Sequence, residues 1–295
     1  MTQNRMEQLK TAEKGALVSI GAYLVIAVCK LAVGYIANSS ALLADGLNNT
    51  TDIVASSAVY IGLRLARQPA DDDHRYGHWK AESLASLLTS MIMLLVGGQV
   101  FISAIKNLFK SHTVSPGPLA AYTGLASAII MFAVYWYNHK LAKQVNSHAL
   151  EAAAKDNFSD ALTSIGTAIA VFAASFDLIW LDKITAIIIG LIIIKTGLDI
   201  FKESSFSLSD GFSTEALTKY KEEVAKIEGV VSVKSLRARS YGANIFLDIT
   251  VLMSPSMTVQ ESHNITEQIE QMLSKKFHVF DVDVHVEPAQ ANIPK

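Results

Sequence analysis

The chain has 295 residues, of which 51% are hydrophobic and 18% charged, and its formal net charge is -2. An ordinary soluble domain carries about a quarter charged residues, so this composition excludes one and points to a membrane. Near-neutrality offers nothing to nucleic acid, and a lone cysteine, Cys29, excludes an internal disulfide and a cysteine-based zinc cluster.

Residues 1–14 are polar and charged, without the apolar core and cleavage site of a secretory signal, and are expected to remain as a cytosolic N-terminal segment. Six apolar stretches follow, near residues 15–36, 41–66, 82–105, 117–138, 149–175 and 180–202. Each approaches the roughly 20 residues that span a bilayer as helix, so residues 15–208 read as a six-helix transmembrane domain. Arg5, Lys10 and Lys14 precede the first stretch, Arg64, Arg67, Arg75 and Lys80 join the second to the third, and His139, Lys140 and Lys143 join the fourth to the fifth. The opposite loops are poorer in Lys and Arg, although Lys106 and Lys110 blur the contrast. A multi-pass protein of the cell membrane is expected, with both termini in the cytoplasm. Lys30 and Lys195 fall inside apolar stretches; the plainer reading is that long stems carry their ammonium groups to an interface, the other that they border an ion pathway.

The second stretch contains LLADGLNNTTDIVASS, which sets Asp45 and Asn49 four residues apart on one helix face, with Asp52 near the same stripe. In the fifth, AAAKDNFSDALTSIG repeats that spacing with Asp156 and Asp160. An ionised carboxylate in hydrocarbon is costly unless paired, and a cation would pair these. Two such helices side by side would converge four oxygen donors, Asp45, Asn49, Asp156 and Asp160, on one divalent ion. The competing reading makes the acids caps at helix ends or the lining of a wet cavity. Asn48, Asn157, Ser159 and Thr163 could add oxygens or pack between helices.

From about residue 213 the texture becomes soluble. A charged amphipathic helix at 214–226, strands VVSVKSLRAR and NIFLDITVLM around a Tyr241-Gly242 turn, a helix at 259–276 and a strand DVDVHVE give the order αββαβ. Residues 209–288 are expected to form a small cytosolic regulatory domain of two helices on a three-stranded sheet, followed by a tail at 289–295.

In SSALLADGLNNTTDIVASS, RLARQPADDDHRYGHWKAESLASL, AAAKDNFSDALTSIG and FKESSFSLSDG the sequence resembles the cation diffusion facilitator family of proton-coupled metal exporters, nearly end to end. The resemblance implies a homodimer, six membrane helices per protomer, a transport site between the second and fifth helices, and a C-terminal αββαβ domain similar to metallochaperones. It carries the transport ligands onto Asp45, Asn49, Asp156 and Asp160. Zinc-exporting relatives generally include a histidine there. An all-oxygen set suits harder cations, so the resemblance is to the manganese-exporting branch, with zinc, iron or cadmium as other possible cargo. Asp71, His74 and His78, in the loop before the third helix, make a candidate accessory metal site, or a polar loop capping that helix. Lys80 and Asp210 match a family salt bridge between the third helix and the cytosolic domain.

In that domain DVDVHVE sets Asp281, Asp283, His285 and Glu287 on one sheet face. His263, His285 and Glu287 fit part of a two-metal site of zinc-binding relatives. Lys234 and Thr250 stand where those relatives have histidines, which leaves one weak site, completed by Asp248, or a solvated face. No resident cofactor is expected. The expected activity is export of Mn2+ in exchange for protons by alternating access. The alternatives are a zinc or iron exporter, a channel, or a membrane metal sensor that moves nothing; no nucleophile and base pair or phosphate loop indicates an enzyme.

Overall fold

The computed structural model describes residues 2–36, 40–108, 118–174 and 179–289. It divides into a helical unit, Thr2–Ser204, and a second unit from Ser205 onward. Six long helices come first: α1 (Thr2–Ile36), α2 (Ser40–Ala66), α3 (Lys80–Leu108), α4 (Pro118–Val145), α5 (His148–Ala174) and α6 (Ile179–Leu208). The shortest has 27 residues, a length of about 40 Å, more than the roughly 30 Å of a hydrocarbon core. Among the described residues, Met6–Ile36 and Lys80–Lys106 are both long and apolar enough to cross a membrane on length and composition.

The polar N-terminal segment is not separate from α1. Met, Glu, Gln, Leu, Lys and Ala are strong helix formers, so the helix runs back to Thr2. There Leu9 and Ala12 are buried, and Glu13 meets Arg67 Nε at 3.1 Å.

Burial in this unit inverts the pattern of a soluble protein. Ser19, Asn49, Asp52, Glu82, Asp156 and Asn157 are inside, while Leu24, Val28, Ile129, Phe132 and Trp136 are exposed. Water would penalise that surface, whereas lipid matches it. Packing is close where glycines face a neighbour. A Cβ on Gly190 of α6 would stand 3.1 Å from the backbone N and Cα of Phe101 on α3, and one on Gly97 of α3 would stand 3.1 Å from Ile194 N. Backbone cannot step aside as a side chain can, so Gly190→Leu should force the two helices apart at a cost of about 1–3 kcal/mol. A lowered melting temperature in detergent would register it; Gly98→Ala, whose Cβ meets nothing within 4 Å, should not lower the melting temperature, since alanine favours helix over glycine.

The second unit contains α7 (Thr214–Val224), β1 (Val230–Tyr241), β2 (Asn244–Met253), α8 (Val259–Phe277) and β3 (Asp281–Pro288), in the αββαβ order expected. The sheet order is β1-β2-β3, antiparallel then parallel. Alternation in β3 turns Val282, Val284 and Val286 onto a core that includes Leu247, Ile249, Val251, Ile269 and Leu273. Ser213 caps α7, and Thr258 with Glu261 forms a capping box on α8. Lys226 and Lys276 both bond the Glu223 carboxylate and hold it down at about 2, which ties α7 to α8.

Candidate metal centre

Three acids meet inside the helical unit. Asp156 and Asp160, one turn apart on α5, and Asp52 on α2 bring carboxylate oxygens within 4.8 Å of one another. Their exposures are 9%, 9% and 3%, so no one of them is a solvated cap. Asn48 of α2 and Ser159 and Thr163 of α5 line the same cavity. The facing wall is apolar, from Ile92, Met93 and Val96 of α3 and Ile193 of α6. Such a wall lowers the local dielectric, which strengthens the pull of three carboxylates on a cation and the cost of leaving them unneutralised.

The expected quartet is therefore met in part. Asp156 and Asp160 come together, and among the described residues of α2 it is Asn48 and Asp52 that line the cavity. Asn49 is buried beside them and braces the acid: its Nδ2 donates to Asp52 Oδ2 at 3.0 Å, and its Oδ1 is left without a hydrogen-bond partner. Asp45 lies in α2 two turns from Asp52, about 10 Å along the axis, and its side chain lies outside the described residues.

The segment ADGLNNTTD holds two overlapping four-residue steps, 45 to 49 and 48 to 52, and spacing alone does not choose between them. Among the described residues it is Asp52, four residues on from Asn48, whose carboxylate meets Asp156 and Asp160.

A hydrogen-bonded chain that no sequence motif announced supports the cluster. Fully buried Tyr23 on α1 donates its hydroxyl hydrogen to Asp160 Oδ2 and accepts from Asn157 Nδ2 at 3.0 Å. Asn157 Oδ1 in turn accepts from Ser19 Oγ and from Asn138 Nδ2, each at 3.0 Å. The chain ties α1, α4 and α5 together and fixes the orientation of one carboxylate. Polar residues four apart, Ser19 and Tyr23, within an apolar run of α1 are the signal that could have found it.

Lys30 corrects an expectation. Its stem does not reach an interface: the residue is 1% exposed, and Nζ donates to Ser164 Oγ on α5 at 3.3 Å. Burial inside the bundle leaves no room for snorkelling. Lys195 is exposed.

In the loop between α2 and α3, Asp71 gathers both histidines. Its Oδ1 lies 3.1 Å from His74 Nδ1 and its Oδ2 3.4 Å from His78 Nε2, and the two rings stand 4.2 Å apart. The backbone N–H of His74 bonds Asp71 and holds its carboxyl below the usual range, so it stays ionised. These three also form a compact ligand group, although a largely exposed one.

The candidates of the second unit do not gather. Glu287 meets Lys234 at 2.5 Å, Asp248 meets Arg239 at 3.2 Å, and His263 lies 3.5 Å from Glu267 on its own helix. His285 is 3.9 Å from Glu287. Cations on β1 occupy two of the carboxylates, so these four residues form no shared ligand group among the described residues. Lys80 opens α3, and Asp210 follows α6 with a φ of 58°.

Residues 16–209 match the cation efflux transmembrane domain, and residues 212–289 match the cytoplasmic domain of cation efflux proteins. The chain is 49% identical over 286 residues to the manganese efflux system protein MneS of Bacillus subtilis, covering 97% of this chain and 99% of that protein. It is 28% identical over 291 residues to the manganese efflux system protein MneP of the same organism, with 96% and 98% covered. To the magnetosome protein MamM of Magnetospirillum gryphiswaldense it is 28% identical over 256 residues, with 86% and 80% covered.

Proposed function

Because the chain belongs to the cation diffusion facilitator family of cation efflux proteins, we propose that it exports a divalent metal ion, Mn2+, through a site formed by Asn48, Asp52, Asp156 and Asp160. The observation that carries the site is the meeting of three buried carboxylates from α2 and α5. A doubly charged ion neutralises most of that charge, and an all-oxygen donor set suits Mn2+ better than Zn2+, which favours imidazole.

All six long helices cross the bilayer in this reading, with residues 15–208 as the membrane domain, 209–288 as the regulatory domain and both termini in the cytoplasm. Two protomers form the transporter. The helices alternate between inward-open and outward-open states, and protons displace the ion because metal and proton compete for the same oxygens. Asp71, His74 and His78 form an accessory cytosolic metal site. The metal is cargo, and no resident cofactor is needed.

Reconstitution tests this directly. Purified protein in liposomes should move Mn2+ uphill when a proton gradient drives the exchange, and a channel or a sensor would not. Asn48→His should raise the Zn2+ to Mn2+ rate ratio about tenfold, since it places imidazole on the cavity, whereas Asn49→His, behind Asp52, should not. Equal ratios in wild type and Asn48→His would sink the donor-hardness argument.

A further inference from the structure

Four polar side chains behind the site are fully buried: Ser19 and Tyr23 on α1, Asn138 on α4 and Asn157 on α5. None of the four lines the metal cavity. For packing alone they would be a poor choice, since apolar side chains fill the same volume without polar groups to desolvate. Their hydrogen bonds all run one way. Asn138 Nδ2 donates to Ser19 Oγ at 2.7 Å and to Asn157 Oδ1 at 3.0 Å, and Ser19 Oγ donates to the same Oδ1 at 3.0 Å. With that oxygen accepting twice, Asn157 turns its Nδ2 to the Tyr23 hydroxyl oxygen at 3.0 Å. The hydroxyl hydrogen is left for Asp160 Oδ2.

The two ends of an amide are nearly alike in shape, so sterics alone would let Asn157 turn over. Its oxygen would then face Tyr23 and draw the hydroxyl hydrogen away from Asp160. Two donors on Oδ1 oppose that turn. Asn138 is itself held in a costly direction: its Oδ1 has no hydrogen-bond partner and lies where a Cβ on Gly15 would come within 2.8 Å. A buried acceptor without a donor is destabilising, and what this orientation gains is both N–H groups aimed at Ser19 and Asn157. We infer that Asn138 and Ser19 are positioning residues for the transport site: by locking the Asn157 amide they commit the Tyr23 hydrogen to Asp160, and so set how tightly the ion is held. In the empty site three carboxylates within 4.8 Å repel one another, and a fixed donor keeps one of them in place before the ion arrives. α4, which supplies none of the proposed ligands, thereby governs metal affinity. The inference rests on the site proposed above.

Ser19→Ala and Asn138→Leu each remove a donor from Asn157 Oδ1, and the double variant removes both. Mn2+ binding to the full chain purified in detergent and the melting temperature provide the readouts. Each single variant keeps one donor, so the Kd should rise about threefold or less, whereas the double variant should raise it about tenfold, as Tyr23→Phe does. In a Tyr23→Phe background the same two changes should leave the Kd where Tyr23→Phe alone puts it, although the melting temperature still falls, because the hydrogen they direct is gone. Asn138→Ala takes the place of Asn138→Leu if the leucine variant does not fold. An unchanged Kd in the folded double variant overturns the inference. So does a loss of affinity as large in the Tyr23→Phe background as in wild type, which is what general loosening of the bundle would give. Asp160→Asn separates the two layers: if it binds Mn2+ as wild type does, the site itself is misplaced; if it loses binding while the double variant matches wild type, only the amide lock fails.

Discussion

Asp52→Asn should lower Mn2+ transport about a hundredfold or more while the protein still folds. The change keeps the shape of the side chain and can keep a hydrogen bond with Asn49, but it removes one of three carboxylates that meet within 4.8 Å. Loss of a mere supporting partner costs about 10- to 100-fold in metal affinity, and a direct ligand should cost at least as much. Proteoliposome flux and Mn2+ binding would both register it. Asp45→Asn is the decisive companion, because Asp45 lies about 10 Å further along α2 and should tolerate the change far better. If Asp45→Asn stops transport while Asp52→Asn supports it, the ligand step on α2 is 45 to 49 and the assignment made here fails.

Tyr23→Phe should raise the Kd for Mn2+ about tenfold or more without removing any ligand. The ring stays in its buried place, so packing is preserved. What disappears is the hydrogen bond to Asp160 Oδ2 and the acceptor for Asn157 Nδ2. Freed from its donor, the Asp160 carboxylate is held less firmly in position, and partners of this kind are worth about 10- to 100-fold in metal affinity. The stranded amide should also cost about 1–3 kcal/mol, seen as a lower melting temperature. A double-mutant cycle separates positioning from stability. In an Asp160→Asn background, Tyr23→Phe should have little further effect on Mn2+ binding, because the group it orients is gone. Fully additive losses in affinity would show that Tyr23 acts on the fold and not on Asp160.

Much of the layout was legible from order and composition. Apolar stretches of bilayer length foretold the long helices, and period-two alternation in DVDVHVE foretold a half-buried strand, because both are local and periodic properties of the chain. The α1 boundary was missed: polar residues 2–14 look like a tail, yet they are good helix formers, and buried Leu9 and Ala12 with the Glu13–Arg67 pair hold them to the bundle. The metal candidates of the second unit do not gather, for a reason invisible in one strand. Lys234 and Arg239 both lie on β1, where their charges meet Glu287 on β3 and Asp248 on β2.

By itself the sequence pointed to acids of α2 and α5 meeting inside the bundle, because spacing and the cost of charge in oil are local facts. Only the tertiary structure decided which acids. Helix register between α2 and α5 set Asp52 beside Asp156 and Asp160, and packing of α1 brought Tyr23 to Asp160 and Lys30 to Ser164. Those contacts join residues more than a hundred positions apart. No periodicity in a chain encodes the offset between two helices; it is set by how their side chains interlock.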